Sequence, residues 1–229
     1  MNTKHKKPTL TKKQRHKLRV QQGRRQKIFL TCLFLLIVGC ILLRFSKFSG
    51  RQEEAHQINA ACEAYRDEVS SEAAQYDMSD YVDLILAVMM QESSGQGTDP
   101  MQSSEGAYNT RYPQQPNGIT DPSYSISCGI QELKYALDKA GCTGPTDLSK
   151  IRLALQAYNF GADSYFAYLE ENGQTVWTAQ SAQAFAQMAS GGTQRDEDDP
   201  LHDPAGPWDY GDQYYPDHVL RYYHLDNNS

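Results

Sequence analysis

The feature that most constrains this chain is an uncharged run of sixteen residues, 28–43, which follows a strongly basic segment. The first 27 residues hold eleven Lys and Arg and no Asp or Glu. Because the whole chain has 22 basic and 28 acidic residues, the part after position 27 carries eleven basic residues and all the acidic ones. A charge split of this size favours two compartments or two partners for the two parts.

The apolar run predicts a single transmembrane signal anchor. A spanning helix needs about 20 apolar residues, and aromatic and basic residues flank the run closely enough to complete that length. Cations before the run far outnumber those just after it, so the positive-inside bias places the N-terminus in the cytoplasm. We therefore expect a cell-membrane protein with a basic cytoplasmic tail at 1–27, an anchor at 28–45, a linker or stalk at 46–56 and an extracellular domain at 57–229.

Three other interpretations of the N-terminus are weaker. A cleaved signal peptide has a short basic region and a small-residue cleavage site, whereas this basic region is long and "LLRFSKFSG" offers no such site. Cys40 loosely resembles a lipidated cysteine, but apolar residues continue past it. Nucleic-acid binding by the basic arm explains less than a cytoplasmic tail does, so we expect no nucleic-acid partner.

The five cysteines are Cys32, Cys40, Cys62, Cys128 and Cys142. Two of them fall in the apolar run, and the three outside it allow at most one disulfide, which the sequence does not select. Their spacing is not that of a metal site, so we interpret them as small core residues and expect no metal or cofactor. The acidic run at 195–199 is interpreted as a solvated loop rather than a calcium site.

The rest of the chain predicts an almost entirely α-helical domain. Ala-, Glu- and Gln-rich residues 51–77 predict one helix, and a long Gly- and Pro-rich stretch at 95–121 predicts a functional or mobile loop. A tail helix or extended segment is expected at 217–225, packing Val219, Leu220 and Tyr222. Further helices are predicted at 78–93 with Ser79 or Asp80 as N-cap, at 122–140 between Asp121 and Gly141, at 146–160 after Thr146 or Asp147 and before Gly161, at 164–173, and at 178–192.

The helix at 78–93 ends in a carboxylate that shares a face with apolar residues. Glu92 follows Ile85 by seven positions and Met89 by three. A carboxyl among apolar side chains has a raised pKa, which suits a general acid near neutral pH. The alternative is a helix-end Glu that points into water. The Ser and Gly residues that follow favour a site, because they let another molecule approach the backbone.

Two further motifs place polar groups at helix ends. "SCGIQ" brings Ser127, Gly129 and Gln131 to the start of one helix, and "AYNFG" brings Tyr158 and Asn159 to the end of another. Amide groups both donate to and accept from the hydroxyl and acetamide groups of sugars. Each amide alone is more simply explained as a helix cap.

In combination, "MMQESSGQGTDPMQSSEGAYNTRYPQQPNGITDPSYSISCGIQ", "LALQAYNFG" and "YYPDHVLRYY" resemble the CwlT-type lysozyme-like domain family. This family belongs to the superfamily of goose-type lysozymes and soluble lytic transglycosylases, which are bacterial cell-wall hydrolases. The resemblance covers roughly residues 57–223 and implies an all-α lysozyme-like fold. Family members with a second, Cys-His peptidase domain carry it after this one; the chain stops at Ser229, so we expect no peptide cleavage.

The resemblance implies cleavage of the β-1,4 bond between N-acetylmuramic acid and N-acetylglucosamine in peptidoglycan glycan strands. Glu92 would be the catalytic acid, Gly129 would let the glycan lie against the backbone, and the sugar cleft would be lined by Ser93, Ser127, Gln131, Tyr158 and Asn159. The second carboxylate of a hydrolase remains open between Glu105, Asp99 and Asp121, the last two being equally typical of turns or caps. A lytic transglycosylase that forms 1,6-anhydro ends and a non-catalytic glycan-binding module are the alternatives to a muramidase. Conjugation and cell-division machinery are the further partners left open.

Overall fold

The computed structural model describes residues 56–199 and 202–224, and the predicted tail at 1–27 and anchor at 28–45 lie outside these residues. In the described part, regular structure is helical apart from an isolated antiparallel bridge between Gln194 and Trp208. The predicted all-α class of the outer domain is therefore confirmed. No helix among the described residues has the length and apolar character needed to cross a bilayer.

Eight α-helices and one 3-10 turn make up this part of the chain. They are α1 (Ala60–Glu63), α2 (Arg66–Gln75), the 3-10 turn Ser79–Tyr81, α3 (Val82–Glu92), α4 (Pro122–Ala140), α5 (Leu148–Phe160), α6 (Ala162–Glu171), α7 (Ala179–Ala189) and α8 (Tyr215–Leu220).

Helices α4 and α5 begin and end where the sequence predicts. The Asp121 side chain accepts a hydrogen bond from the Tyr124 backbone N–H, and Pro122 fits the first turn because that position needs no N–H donor. Asp147 caps α5 in the same way. Gly141 ends α4 at a φ of 70°, a left-handed conformation that glycine adopts without steric cost.

Two predicted helix starts are wrong. The stretch predicted as one helix at 51–77 contains two helices, α1 and α2, separated at Ala64 and Tyr65. Ser79 and Asp80 do not cap α3; they lie in the 3-10 turn, and Tyr81 is the N-cap without a side-chain hydrogen bond. The 3-10 turn continues directly into α3, so no separate cap is needed at the place where the sequence suggests one.

The core forms around α3, whose residues from Leu84 to Met89 are all fully buried. Each large apolar side chain buried in this way contributes roughly 1.5–3 kcal/mol to stability. The apolar stripe predicted for α4 is buried as expected; it consists of Ile126, Ile130, Leu133 and Leu137. Helix α4 packs along α5, and α8 packs on both α3 and α5. The short C-terminal helix therefore lies next to the end of α3 that carries Glu92.

The tail segment predicted at 217–225 is helical up to Leu220 and then forms a turn. Val219 is fully buried in α8, while Leu220 and Tyr222 are partly buried against the core. Cys62, Cys128 and Cys142 are free thiols, with Cys62 and Cys128 buried as small core residues.

Candidate active site

Glu92 is the last residue of α3 and lies at the edge of the core. The residue is partly accessible to solvent, yet protein surrounds its carboxyl group. The buried run Leu84–Met89 precedes it on the same helix. The Glu92 side chain therefore starts from the part of α3 that is packed in the core and not from a solvated helix face. Its position matches the apolar-face interpretation of the sequence and not the alternative of a helix-end Glu in open water.

Two tyrosines form a wall beside this carboxyl. The hydroxyl of Tyr215, at the start of α8, donates a hydrogen bond to Glu92 Oε1. The ring of Tyr158 stacks on that of Tyr215, with centroids 6.3 Å apart and planes 23° apart. The Tyr158 hydroxyl donates to the carbonyl oxygen of Met101 over 2.9 Å. Residues from α3, α5, α8 and the loop after α3 thus meet at this point.

The pKa of Glu92 is raised from 4.5 to about 7, chiefly because burial disfavours the charged form. The hydrogen bond from Tyr215 opposes this rise, since it stabilises the carboxylate. The negative charges of Asp212, Asp99 and Glu132 raise the pKa further. Glu92 therefore carries its proton in about half of the molecules near pH 7, which is the condition that a general acid requires.

Asp99, one of the three predicted second carboxylates, is 1% exposed and holds the loop together. It accepts hydrogen bonds from the Ser103 backbone N–H at 3.0 Å and from the Ser125 hydroxyl at 2.6 Å. Ser104 donates to it through both its N–H and its hydroxyl. Four donors occupy this carboxylate, so the geometry gives Asp99 a structural role in the loop.

The other two predicted carboxylates differ from Asp99 and from each other. Asp121 is the N-cap of α4 and accepts from the Tyr124 backbone N–H at 3.4 Å. Glu105 is exposed and lies at the rim of a cavity described below. Glu105 is the exposed one of the three, whereas Asp121 is partly buried and lines the other cavity described below.

Two adjoining cavities extend over this side of the domain. The Gln131 cavity, of about 570 Å³, is lined by Gln131 and Ser127 together with residues of α2 and the loop before α4. The Tyr158 cavity, of about 300 Å³, is lined by Tyr158, Glu105 and Glu132 among others. Ala107 and Tyr108 line both. The two cavities adjoin at these residues and are called the groove below. Glu92 lines neither of them, and Tyr158 relates the groove to Glu92 through its ring, which stacks on Tyr215.

Two of the predicted sugar-binding residues have partners within the protein and line neither cavity. The Ser93 hydroxyl donates to the Pro100 carbonyl oxygen at 2.8 Å, which fixes the turn after α3. Asn159 Oδ1 accepts from the Asp212 backbone N–H at 2.7 Å and so holds the segment before α8. Ser93 and Asn159 therefore shape the site through the backbone.

Gly129 has a different role from the predicted one. It is buried in α4, and a Cβ atom there would lie 2.6 Å from the Cβ of Met101. The side chain that approaches this backbone is Met101, whose carbonyl oxygen accepts the hydrogen bond from Tyr158. The absence of a side chain at Gly129 lets the loop pack closely on α4 and leaves no space there for a glycan.

Sequence reasoning missed three residues at the site, namely Tyr215, Asp212 and Glu132. Asp212 Oδ2 pairs with His218 Nδ1 at 2.5 Å, and this hydrogen bond raises the pKa of the histidine. Glu132 accepts from the Ala107 N–H at 2.9 Å, and burial raises its pKa. Only a weak signal existed for them: Glu132 directly follows Gln131, and Tyr215 lies in the family-like stretch "YYPDHVLRYY".

No group of three or more His, Cys, Asp or Glu side chains within residues 56–199 and 202–224 is placed to hold a metal ion.

A family model described as lysozyme-like matches residues 60–223, which is most of the chain and nearly all of its described part. The chain belongs to the lysozyme-like family. This lysozyme-like chain is 36% identical over 173 residues to the bifunctional muramidase/DL-endopeptidase CwlT of Bacillus subtilis (strain 168), a match that covers 76% of the chain and 43% of CwlT. The predicted resemblance to the CwlT-type domain is confirmed.

Two further relatives extend this comparison. The lysozyme-like chain is 40% identical over 111 residues to an uncharacterized membrane protein, YocA, of Bacillus subtilis (strain 168), covering 48% of the chain and 45% of YocA. It also resembles a crystal structure from Staphylococcus aureus subsp. aureus Mu50, described as similar to a lipoprotein of the NLP/P60 family, with a TM-score of 0.63 and 27% identity over 76% of this chain and 56% of that one. The chain spans less than half the length of CwlT and of YocA.

Proposed function

We propose that this lysozyme-like domain is an N-acetylmuramidase that cleaves the β-1,4 bond between N-acetylmuramic acid and N-acetylglucosamine in peptidoglycan. The observation that carries the proposal is the Glu92 carboxyl, whose pKa is about 7. It lies at the end of a buried helix and beside two tyrosines, one of which lines the groove. The muramidase activity named for CwlT supports the same conclusion.

Glu92 acts as the general acid in this mechanism. Because Tyr215 donates to Oε1, the acidic proton resides on Oε2, from which it passes to the leaving glycosidic oxygen. As the bond breaks, an oxocarbenium-like centre develops on the sugar and Glu92 becomes a carboxylate. The Tyr215 hydroxyl then stabilises that carboxylate, because a hydrogen bond to a charged acceptor is stronger than one to a neutral acceptor.

Hydrolysis also requires a carboxylate that activates water from the opposite side of the sugar, about 6.5–9.5 Å from the acid in an inverting enzyme. We assign this role to Glu105, since it faces the Tyr158 cavity while Asp99 and Asp121 are held in hydrogen bonds. The engagement of Asp99 and Asp121 also supports the alternative, a lytic transglycosylase, in which the 6-hydroxyl of the sugar attacks and no second carboxylate is needed.

Digestion of purified peptidoglycan by the full-length protein in detergent micelles, with mass spectrometry of the products, tests the proposal. Muropeptides with reducing muramic acid ends are expected for wild type, and none for Glu92→Gln. Products with 1,6-anhydro ends would instead assign the chain to the transglycosylases. An unchanged polymer that nevertheless sediments with bound protein would make it a glycan-binding module.

The site's proposed substrate lies outside the cell membrane, so the domain at 57–229 must be exported. We propose that residues 28–45 anchor the chain with residues 1–27 in the cytoplasm, in agreement with the membrane protein named among its relatives. Protease added to intact cells is expected to remove the domain and leave a short membrane-bound fragment. Complete protection of the domain until the cells are lysed would contradict this topology.

A further inference from the structure

The Gln131 cavity contains a cation that the proposed mechanism does not use. Arg111 lines this cavity beside Gln131 and Ser127, and no other described lining residue is a Lys or Arg. The cavity shares Ala107 and Tyr108 with the adjoining Tyr158 cavity. A glycan that occupied both cavities would therefore lie within reach of Arg111.

Arg111 is held in position by Tyr124 of α4. The guanidinium Cζ lies 4.5 Å from the centroid of the Tyr124 ring, which is a cation–π contact. The Tyr124 hydroxyl accepts from the Thr110 backbone N–H at 3.0 Å and donates to the Tyr108 carbonyl oxygen at 3.2 Å. The Tyr112 ring also packs on it, with centroids 5.5 Å apart. The loop around Arg111 is thus organised by one tyrosine.

The guanidinium has no carboxylate partner in the part of the chain that the structure describes. The ion pairs there involve other cations. The two carboxylates of the same cavity have their own donors, Glu72 from Gln75 Nε2 at 2.7 Å and Asp121 from the Tyr124 backbone. Arg111 therefore presents N–H donors to whatever occupies the cavity.

We propose that Arg111 recognises the carboxylate carried by the 3-O-lactyl substituent of muramic acid, and so makes the groove select muramyl glycans over glycans of N-acetylglucosamine alone. This inference rests on the proposed function, because it names the substrate feature that the same groove reads. In peptide-free strands the ligand is the lactyl carboxylate itself, and in peptide-bearing strands it is a carboxylate of the stem peptide. A planar guanidinium binds either through two parallel hydrogen bonds.

Binding to the full-length Glu92→Gln protein in detergent micelles tests the inference without turnover. Three ligands of equal sugar length are compared by isothermal titration calorimetry: a chitooligosaccharide, a peptide-free muramyl glycan and a peptide-bearing muramyl glycan. At least one muramyl ligand is expected to bind about 10-fold more tightly than the chitooligosaccharide, as expected for one charge-assisted bidentate contact. The preferred muramyl ligand identifies the source of the carboxylate.

The second variant, Glu92→Gln with Arg111→Gln, is expected to lose this preference while its affinity for the chitooligosaccharide stays the same. Arg111→Lys keeps the charge without the two-pronged contact and should retain part of the preference. Raising the salt concentration is expected to weaken muramyl binding by the protein that keeps Arg111 more than by the Arg111→Gln variant, because ions screen the contact. Lys134→Gln removes a charge from the exposed side of α4, where Lys134 pairs with Asp138, and should change nothing.

Equal affinities for all three ligands, or a muramyl preference that survives Arg111→Gln in a protein with an unchanged circular dichroism spectrum, would overturn the inference. If wild-type protein releases muropeptides while the Glu92→Gln protein shows no preference among the ligands, the inference about Arg111 fails and the proposed function stands. If the preference depends on Arg111 but wild-type protein releases no muropeptides, the inference about Arg111 stands and the proposed muramidase function fails.

Discussion

Glu92 and Asp99 lie only seven residues apart, yet their carboxyl groups have opposite hydrogen-bonding environments in this domain. Asp99 is almost completely buried and receives hydrogen bonds from two backbone N–H groups and two hydroxyls. Glu92, whose carboxyl is also surrounded by protein, receives one side-chain hydrogen bond, from Tyr215. Four protein donors replace the water that would otherwise hydrate the Asp99 carboxyl group. A single side-chain donor does so for Glu92.

The difference shows that burial alone does not make a catalytic acid. Asp99 accepts hydrogen bonds from both sides of the loop and so ties the loop after α3 to Ser125 of α4. A carboxyl with few donors and several negative neighbours keeps its proton. Counting donors around each buried carboxyl therefore separates the residue that holds the site from the residue that we propose to react.

The largest expected effect is on activity at Glu92. Glu92→Gln retains the shape and the hydrogen bond from Tyr215 but has no acidic proton, so muropeptide release should fall by about 10²–10⁴-fold. Release of soluble fragments from labelled peptidoglycan measures this change. The control, Gln91→Glu, adds a carboxyl one position away and should not restore activity to the Glu92→Gln protein. Activity within about tenfold of wild type in Glu92→Gln would end the comparison, because Glu92 would then not be the acid.

The next largest effect is on stability at Asp99. Asp99→Ala leaves the N–H groups of Ser103 and Ser104 and the Ser125 hydroxyl without their acceptor, so the free energy of unfolding should fall by about 3–5 kcal/mol. Chemical denaturation followed by circular dichroism measures it. Glu105→Ala, in the exposed part of the same loop, should change stability by no more than about 0.5 kcal/mol. Similar small values for both variants would show that the Asp99 network is not an anchor.

A third prediction concerns the pH dependence of stability. The pKa of Glu92 is higher in the folded protein, about 7, than its ordinary value of 4.5, so folding loses free energy as the pH rises between these values. Glu92→Gln lacks this loss and should be as stable as wild type near the acidic end of this range but more stable by roughly 3 kcal/mol above its alkaline end. Unfolding curves at the two ends measure the difference. A constant difference between the proteins across this range would mean that Glu92 does not titrate as proposed.

The smallest expected effects are two opposite shifts in the pH–activity profile. Tyr215→Phe removes the hydrogen bond that lowers the pKa of Glu92, so the alkaline limb should move to higher pH. Asp212→Asn removes a negative charge that raises this pKa, so the limb should move to lower pH. Each shift should be smaller than about one pH unit, the usual spread of pKa values in folded proteins. Initial rates on both sides of neutral pH measure both, and shifts in the same direction would contradict the assigned causes.

Local signals in the sequence were sufficient for much of the fold. Asp121, Asp147, Gly141 and Gly161 act on backbone groups within a few residues, so the ends of α4 and α5 could be predicted from them. Glu92 could be selected as a candidate because it shares a helix face with Ile85 and Met89. The 3-10 turn before α3 could not be predicted. It continues directly into the helix, so the cap that Ser79 or Asp80 suggested is not needed.

The partners of the proposed catalytic acid could be identified only from the tertiary structure. Tyr215 lies 123 positions from Glu92, and no periodicity or spacing connects them. The neighbour of Gly129 could not be predicted either. The sequence shows that this residue has no side chain, but Met101 rather than a sugar occupies the space beside it. The residue types predicted which segments carry polar side chains. The long-range packing of α8 and of the loop after α3 determines which of these side chains are in contact.

The distance in sequence between Glu92 and Tyr215 has a consequence for biosynthesis. Chains are made from the N-terminus, so α3 is complete long before α8 exists. Until α8 has been synthesised and has docked, Glu92 lacks the hydrogen bond and the ring that Tyr215 supplies. A domain shortened before α8 is therefore expected to lack the environment that we propose for the general acid.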